Sequence, residues 1–351
     1  MPNIYDRELT IGRFVINDDS EAFVIAEIGH NHQGSVELCE KIFQAAARAG
    51  ATAVKLQKRD NKFLYTHDFY NSPYLSENSF GKTYGEHRDF LEFNVTEYRH
   101  LKQVANELGM LFFATAFDIP SADFLLDIGV PVVKIASGDL RSAPLISYVA
   151  GSGIPLIMST GGSTTEEIKR ALDDVDPSKI ALLQCTAAYP TEPDEMNLRV
   201  IPNFRDLFPN TTIGLSSHDR GIAFPVVAYA LGARVIEKHF TTDRSLKGTD
   251  HAFSLEPTGM EKMVRDLELT RLALGDGVKK VYEKEIEPVR KMSKMIVYAK
   301  DFPKGHILTN LDFSMKSPNI GLSPQAMSSL IGKRLITEVA QYQITKLDHL
   351  E

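Results

Sequence analysis

The chain contains no tryptophan and only two cysteines among its 351 residues. Cys39 falls in a predicted helix and Cys185 at a predicted strand end, a spacing that fits neither a zinc site nor a disulfide framework. Two buried free thiols are typical of a protein in a reducing cytoplasm. The opening MPNIYDRELTIG lacks the basic and apolar regions of a signal peptide. No apolar run approaches the roughly 18 residues needed to span a bilayer, so we expect a cytoplasmic protein without a membrane partner.

Positive charge is also in short supply, with 39 Lys and Arg against 46 Asp and Glu and a net charge of −7. This balance argues against nucleic acid as a partner, since nucleic-acid binding needs a basic face. A small anionic substrate stays possible, because a few lysines and backbone N–H groups can outweigh a mildly negative total. The length suits one barrel of about 250 residues with a small appendage.

Eight short apolar runs recur along the chain, and each ends in polar residues that can do chemistry. Continuous apolar runs of this length are typical of parallel strands buried on both faces. Helical patterns separate them, so we predict a (β/α)8 TIM barrel with its active site at the carboxyl ends of the strands. The predicted strands are Ala22–Gly29, Ala51–Gln57, Leu111–Phe117, Val130–Ser137, Ile154–Thr160, Ile180–Thr186, Thr212–Ser217 and Ala233–Phe240.

The barrel is predicted to occupy residues 1–280, followed by a charge-rich linker over 281–294. Short alternating stretches over 295–351 predict a small β-rich domain that leans on a barrel for stability. The polar and aromatic segment 58–90 breaks the strand–helix rhythm after the second strand. Long loops in compact domains are usually functional, so we interpret this segment as a lid or a dimer contact.

Two histidines close neighbouring strands, His218 in SSHD and His239 in EKHF. A closed barrel brings both to the same rim, where two imidazoles suit a borderline divalent metal such as Mn²⁺, Fe²⁺ or Zn²⁺. The alternative is that each is a hydrogen-bonded histidine packed near the rim.

Lys55 and Lys134 end otherwise apolar strands, where a charge is costly unless it is paired. With hydroxyls at the same rim they predict a site for a carboxylate or phosphate, to which Thr160, Gly161 and Gly162 can add backbone donors. The alternative is an ordinary ion pair of each lysine with Glu27 or Glu237. The other polar residues at this predicted site are Gln57, Ser137, Ser159 and Ser216.

Glu27 ends the first strand within EIGHNHQG and faces the same rim. It can act as a general base or orient a hydroxyl. His30 and His32 follow it and either supply donors to the site or face solvent as loop residues.

The motifs EIGHNHQG, KLQ, TAFD, KIASGD, STGG, CTAAYP, GLSSHD, EKHF and TDHAFS occur in this order. With YGEHRDF in the long segment and the tail KDFPKGHILT…LIGKR, they resemble the N-acetylneuraminate (sialic acid) synthase family over nearly the whole chain. The resemblance includes the family's antifreeze-like (SAF) domain at the carboxyl end, and so implies a TIM barrel followed by that domain.

The resemblance implies a condensation of phosphoenolpyruvate with the open-chain aldehyde of an N-acylated hexosamine. His218 and His239 would hold the metal, Mn²⁺ with Mg²⁺ or Co²⁺ as alternatives, and Glu27 would orient the sugar or assist proton transfer. Lys55 and Lys134 are the other catalytic candidates. Members of the family form domain-swapped homodimers, so the resemblance also implies a second copy of this chain as a partner. The residues implied to hold phosphoenolpyruvate are Lys55, Gln57, Thr115, Lys134, Ser137, Ser159 and Ser216, and those lining the sugar side are Phe117, Tyr189 and Asp250.

Two positions depart from the family pattern. Ala187 stands where a polar residue is usual, and Ser317 replaces an arginine that reaches across the dimer to the N-acyl group of the sugar. A serine cannot replace a long cationic donor, and Lys316 is the substitute that we consider. The expected acceptor is N-acetylmannosamine or a related diacetamido sugar, and these two departures favour the related sugar or a differently substituted hexose.

Two other functions stay open. One is a 3-deoxy-ulosonate-phosphate type synthase that takes a phosphorylated sugar, which would need extra Arg or Lys in the sugar half of the site, and the sequence shows few. The other is a carbohydrate-binding protein without catalytic activity, which would have no use for two rim histidines.

Overall fold

The computed structural model describes residues 7–351 in two compact units, one ending at Asp276 and one spanning Gly277–Glu351. Across residues 7–351, no helix combines the length and the apolar character that a membrane crossing requires.

Eight parallel strands close into a barrel, in which the last strand, Val235–His239, pairs with both Phe23–Gly29 and Thr212–Ser217. The predicted TIM barrel is confirmed. Where prediction and structure differ, the strands are shorter: the run over 130–137 contains a strand only from Val133 to Ile135, and Ser137 begins a 3-10 turn. The strands are β1 (Glu8–Ile11), β2 (Phe14–Asn17), β3 (Phe23–Gly29), β4 (Ala53–Lys58), β5 (Leu111–Ala116), β6 (Val133–Ile135), β7 (Leu156–Ser159), β8 (Ile180–Cys185), β9 (Thr212–Ser217), β10 (Val235–His239), β11 (Met295–Tyr298) and β12 (Phe313–Lys316).

Helices follow the barrel strands and cover them. Ser35 caps the first one as its sequence predicts, with its Oγ accepting from the backbone N–H of Leu38 at 3.2 Å. Pro202 lies in the first turn of the helix Val200–Leu207, where the missing N–H breaks no helical bond. The helices are α1 (Val36–Arg48), α2 (Asn61–Leu64), α3 (His67–Tyr70), α4 (Tyr84–Phe90), α5 (Val95–Glu107), α6 (Ile119–Asp127), α7 (Ala143–Gly151), α8 (Thr165–Leu172), α9 (Val200–Leu207), α10 (Ala223–Ala230), α11 (Pro257–Leu274) and α12 (Glu283–Met292).

An antiparallel hairpin of β1 and β2 precedes the barrel and was not predicted. Leu9, Ile11 and Ile16 are buried in the barrel core. Gly12, at the hairpin turn, has a positive φ of 58° and lies against the side chain of Leu111, the first residue of β5. The hairpin therefore packs at the amino end of the barrel, opposite the predicted site.

The segment 58–90 is not an irregular loop, because it contains α2, α3 and α4. Its aromatic side chains pack on one another, with the Tyr84 ring contacting Tyr65, Phe69 and Tyr74 at centroid distances of 5.2, 4.6 and 5.4 Å. Gly85 fits directly against the Tyr70 ring, where an added Cβ would lie at 2.5 Å. This self-packing holds α4 in place.

The carboxyl-terminal unit pairs β11 with β12 antiparallel and adds isolated bridges such as Ile307 with Arg334. Its small core includes Ile296, Tyr298 and Leu330. The segment predicted as a linker, 281–294, contains helix α12, with Pro288 inside it.

Candidate active site

A cavity of about 540 Å³ opens at the carboxyl ends of the barrel strands. Its volume falls within the range of about 300–1,000 Å³ that is typical of small-molecule sites. The predicted site residues that line it are Glu27, Lys55, Gln57, Thr115, Phe117, Lys134, Ser137, Ser159, Tyr189, Ser216, His218, His239 and Asp250.

Lys316, the remaining predicted residue, belongs to the carboxyl-terminal unit. Its Nζ lies 4.2 Å from the centroid of the Tyr342 ring, a cation–π contact within that unit.

Strand register explains why residues far apart in sequence meet at this rim. His239 pairs with Glu27, and Glu27 pairs with Lys55 on the next strand. Thr115 likewise pairs with Lys134. Side chains at paired positions of neighbouring strands project to the same face, so these residues all project toward the interior of the barrel at its carboxyl rim.

The two lysines share two carboxylates. Lys55 Nζ lies 2.7 Å from Glu27 Oε2 and 3.5 Å from Glu237 Oε1, and Lys134 Nζ lies 4.0 Å from Glu237 Oε2. All four side chains are buried. The two interpretations of the lysines are therefore compatible, because they are ion-paired and also line the cavity.

Burial and the carboxylates act in opposite directions on these ammonium groups. Burial favours a lower pKa for Lys55, but Glu237 and Glu27 outweigh it and raise that pKa above its usual value. Burial prevails at Lys134 and lowers its pKa, against the opposing charge of Glu237. At Glu237, burial favours a higher pKa, but the two lysines outweigh it and lower that pKa. We call Lys55, Lys134, Glu27 and Glu237 the ion quartet. It pairs two basic side chains with two acidic ones.

Hydroxyl groups surround the lysines. Lys55 Nζ donates to Thr115 Oγ1 at 2.8 Å, and Lys134 Nζ donates to Ser159 Oγ at 2.7 Å. The predicted backbone donors are partly engaged elsewhere, since Thr160 N–H donates to the Leu183 carbonyl and Gly161 N–H to Ser137 Oγ. An anion at this rim would therefore meet side-chain donors first.

His218 and His239 face each other with ring centroids 5.4 Å apart. His218 Nδ1 lies 2.9 Å from the Thr186 carbonyl, so that nitrogen carries the proton and Nε2 is left as an acceptor. His239 Nδ1 is buried and has no hydrogen-bond partner. Asp250 Oδ2 lies 3.6 Å from it, beyond hydrogen-bonding distance.

These observations fit a metal held by two protein imidazoles. No group of three His, Cys, Asp or Glu residues within residues 7–351 could hold a metal, so substrate or water would complete the coordination. Burial, and then the charge of His239, lower the pKa of His218 to about 3, which keeps its imidazole neutral. A neutral imidazole is the form that binds metals.

Glu27 is held by Lys55 on one carboxylate oxygen and by Gln57 on the other. Its Oε1 accepts from Gln57 Nε2 at 2.7 Å, while its Oε2 faces Lys55. Tyr189 also lines the cavity, and its ring lies against that of His218 with a centroid distance of 4.1 Å and an interplanar angle of 34°. Ala187 lines the cavity, and its methyl side chain has no polar atom.

Two arginines at this cavity were not singled out from the sequence. Arg59 and Arg88 both line it, and each lies against one nitrogen of the His30 ring. His30 and His32 are buried, so the interpretation of them as solvent-facing residues is wrong. The sequence did contain a signal for Arg59, because it lies two residues beyond Gln57, close to the end of a predicted strand. It contained none for Arg88, because the long segment 58–90 has no strand or helix periodicity that would place Arg88 at the rim.

The fold and this cavity define a TIM-barrel enzyme. The NeuB family matches residues 42–279, and the SAF domain matches residues 293–344. The chain therefore belongs to the NeuB family. The predicted family, the barrel-plus-SAF fold and the prediction of an N-acetylneuraminate synthase-like transferase are confirmed.

Individual relatives agree with this assignment. The chain is 38% identical over 338 residues to N-acetylneuraminate-9-phosphate synthase of Homo sapiens, covering 95% of this chain and 94% of that protein. It is 34% identical to N,N'-diacetyllegionaminic acid synthase of Legionella pneumophila, covering 94% of each chain. A solved N-acetylneuraminic acid synthetase from Leptospira borgpetersenii, in complex with citrate, superposes with a TM-score of 0.71 and 33% identity, covering 81% of this chain and 96% of that one.

Proposed function

We propose that this protein condenses phosphoenolpyruvate with the open-chain aldehyde of an N-acylated hexosamine to give a nonulosonic acid and phosphate. One observation carries the proposal: buried lysines, carboxylates and paired histidines line a single cavity at the barrel rim. Carbon 3 of phosphoenolpyruvate forms a bond to the aldehyde carbon, and the aldehyde oxygen takes up a proton. Water then adds at carbon 2, and phosphate leaves by cleavage of its C–O bond.

The lysine side of the rim suits phosphoenolpyruvate. Lys55 and Lys134 supply two ammonium groups, and Ser137, Ser159 and Ser216 supply hydroxyls to a carboxylate or phosphate. Gln57 and Thr115 complete this side. Because the donors are fixed by strand register, they can hold carbon 3 toward the aldehyde without reorganisation.

The opposite side suits the sugar. Glu27 is placed to accept from a sugar hydroxyl or to move a proton at the aldehyde oxygen. Phe117 and Tyr189 offer apolar faces, and Asp250 offers a carboxylate to the hydroxyls.

We propose that His218 and His239 hold a divalent metal, Mn²⁺ first, with Mg²⁺ or Co²⁺ as alternatives. Such an ion, when bound, would act as a Lewis acid toward the aldehyde oxygen. His239 has a partnerless Nδ1, and His218 has its Nε2 as the acceptor nitrogen, which supports two-point binding by the protein.

The test is phosphate release from phosphoenolpyruvate with a panel of N-acylhexosamines, with and without Mn²⁺, together with mass spectrometry of the product. Phosphoenolpyruvate labelled with ¹⁸O in its bridging oxygen should give labelled phosphate, because the C–O bond breaks. Absence of turnover with every acceptor would refute the proposal.

The metal assignment has its own control. His239→Ala should lose Mn²⁺ binding by calorimetry and lose activity, while its circular dichroism stays that of the wild type. His67→Ala, whose side chain is 90% exposed, should keep both. Unchanged Mn²⁺ affinity in His239→Ala would contradict the assignment.

The two named relatives make products that differ in phosphorylation, yet their identities to this chain are close, at 38% and 34%. The acceptor therefore has to be argued from this chain's own residues. Lys316 is our candidate for the contact with the N-acyl group, reaching the site from the second protomer of a domain-swapped homodimer.

A further inference from the structure

A buried ion pair joins the two strand ends that carry His218 and His239. Lys238 Nζ lies 2.6 Å from Asp219 Oδ1 and also donates to the Asp219 carbonyl, and the Ser217 hydroxyl donates to the same Oδ1. Lys238 is 1% exposed and Asp219 4%. Lys238 immediately precedes His239, and Asp219 immediately follows His218. We call Lys238, Asp219 and Ser217 the outer clamp.

The outer clamp lies on the other side of the barrel wall from the cavity. Lys238 on β10 pairs with Ser217 on β9, and the preceding pair, Glu237 with Ser216, lines the cavity. Successive side chains of a strand project to opposite faces, so Lys238 and Ser217 point away from the cavity. The outer clamp therefore cannot touch a substrate, and any effect that it has on the reaction must pass through the residues beside it.

The carboxylate of Asp219 is held from three sides. Its Oδ1 accepts from Lys238 and Ser217, and its Oδ2 accepts from the backbone N–H of Gly221 at 2.9 Å. These donors come from β10, from the end of β9 and from the loop that follows β9. Because Ser217 and Asp219 flank His218, the bonds hold the backbone on both sides of that histidine and tie it to the next strand.

An ion pair at such a buried position contributes little net stability. Two charges lose their hydration there, and apolar side chains of similar size often give a fold that is equally stable. Charge-assisted hydrogen bonds are, however, short and directional, and this one connects two strands. It fixes the distance between β10 and the residue after β9, which apolar packing would leave adjustable.

The proposed metal site needs a fixed distance at this place. The rings of His218 and His239 have their centroids 5.4 Å apart. Metal–imidazole bonds are about 2 Å long, and functional side chains have to be held within about 0.5 Å of their productive positions. Within residues 7–351 no group of three His, Cys, Asp or Glu residues could hold a metal, so a third protein ligand cannot compensate for a shift of either ring.

We propose that the outer clamp sets the separation of the two imidazoles and thereby the affinity of the protein for Mn²⁺. Lys238 and Asp219 are positioning residues, because neither faces the cavity and both act through the neighbouring histidines. This inference rests on the proposed metal site and adds to it a pair of residues that do not touch the ion.

The test measures Mn²⁺ affinity by calorimetry on the full-length protein. Asp219→Asn and the double variant Lys238→Met with Asp219→Leu should each bind Mn²⁺ about 10- to 100-fold more weakly than the wild type, as replacing groups that orient metal-ligating residues does. The double variant removes both charges together, so its urea unfolding should stay close to that of the wild type. At saturating Mn²⁺, both variants should keep the wild-type KM for phosphoenolpyruvate, because Lys55 and Lys134 are unchanged.

Asp18→Asn is the matched control, because the Asp18 side chain is 8% exposed and lies 2.6 Å from Arg205 at the opposite end of the barrel. It should lose stability and keep the wild-type affinity for Mn²⁺. Wild-type Mn²⁺ affinity in the double variant would refute the role of the outer clamp and leave the metal assignment intact. An equal loss of affinity in Asp18→Asn and Asp219→Asn would also refute it, because affinity would then follow stability alone. A wild type that binds no Mn²⁺ would instead refute the metal assignment, and the role of the outer clamp with it.

Discussion

Lys55 is buried between two carboxylates, and its ammonium group makes three close polar contacts. Glu27, Glu237 and Thr115 surround it. Replacing both residues of a buried ion pair with apolar residues often leaves the stability of a protein unchanged. Removing only one partner destabilises it, because an unpaired charge stays buried. A substitution in the ion quartet should therefore affect both substrate binding and the free energy of unfolding.

We expect Lys55→Met to destabilise the fold by about 3–5 kcal/mol, since Glu27 and Glu237 would lose their shared cation. Activity should fall by at least about 100-fold, because phosphoenolpyruvate loses an ammonium contact. Urea unfolding measures the first effect, and phosphate release measures the second.

Lys41→Met is the matched control, because Lys41 pairs with Glu37 at 2.7 Å on the exposed face of α1. Exposed pairs of this kind contribute only about 0.3–0.5 kcal/mol. If Lys55→Met and Lys41→Met lost the same free energy of unfolding, burial would not explain the contribution of the Lys55 ion pairs to stability.

Individual site residues differ in how far the sequence predicts them. Lys55, Lys134, His218 and His239 could be predicted because each stands at the end of an apolar strand, and a closed barrel brings such ends together. Arg88 could not, because its approach to the cavity depends on how aromatic rings pack within the segment 58–90. Contacts of that kind leave no period in the sequence.

Among the elements, the hairpin of β1 and β2 is joined to the barrel by charge as well as by apolar packing. Asp18 follows β2 and lies 2.6 Å from Arg205 Nη1 on α9 and 3.1 Å from Arg7 Nη1. Burial alone would raise the pKa of Asp18, but Arg205, Arg7 and Arg234 outweigh it and hold that pKa below its usual value. The folded state therefore binds this proton less readily than the unfolded chain.

This difference predicts the pH dependence of stability. Asp18 stabilises the fold fully above the unfolded pKa of about 3.9, and the contribution is lost as pH falls through the lower folded pKa. Asp18→Asn should be less stable than the wild type by about 1 kcal/mol at pH 6, and the gap should narrow toward pH 3. Urea unfolding at several pH values measures it.

Asp19→Asn is the neighbouring control, because Asp19 is exposed on the same turn. Its stability relative to the wild type should change little between pH 6 and pH 3. If the difference in free energy of unfolding between Asp18→Asn and the wild type stayed constant from pH 6 to pH 3, the negative charge of Asp18 would not be what stabilises the fold.

The hairpin also shows why some elements escape prediction. The barrel strands are continuous apolar runs, whereas β1 and β2 have four residues each and are buried on one side only. Their short alternation of exposed and buried residues is easily mistaken for a loop. The helices within the segment 58–90 escape prediction for a related reason, since α2 and α3 are single turns.

For the whole molecule, charge is distributed unevenly. The chain carries a net charge of −7, yet the described residues that line the cavity include four Lys and Arg side chains against three carboxylates. A cleft that carries the sign opposite to the rest of the surface focuses the field on its ligand. The distribution suits an anionic substrate such as the proposed phosphoenolpyruvate.

The proposed homodimer leads to a prediction about how the two units cooperate. If Lys316 acts on the barrel of the other protomer, a dimer of Lys55→Met and Lys316→Met chains contains one site with both lysines intact. Each variant alone should be impaired: Lys55→Met severely, and Lys316→Met by about tenfold through the KM of the acceptor. The mixed dimer should recover about half of the wild-type activity, as two-fold symmetry requires.

The mixed dimer can be isolated by giving each variant a different affinity tag and purifying over both, with light scattering to verify two chains per particle. Lys300→Met, on the same unit with its Nζ 5.5 Å from the Phe302 ring, is the matched control and should be fully active alone. If Lys316 instead serves its own chain, neither site of the mixed dimer is complete and the acceptor KM stays at the Lys316→Met value. A monomer at assay concentration would equally exclude action across a dimer.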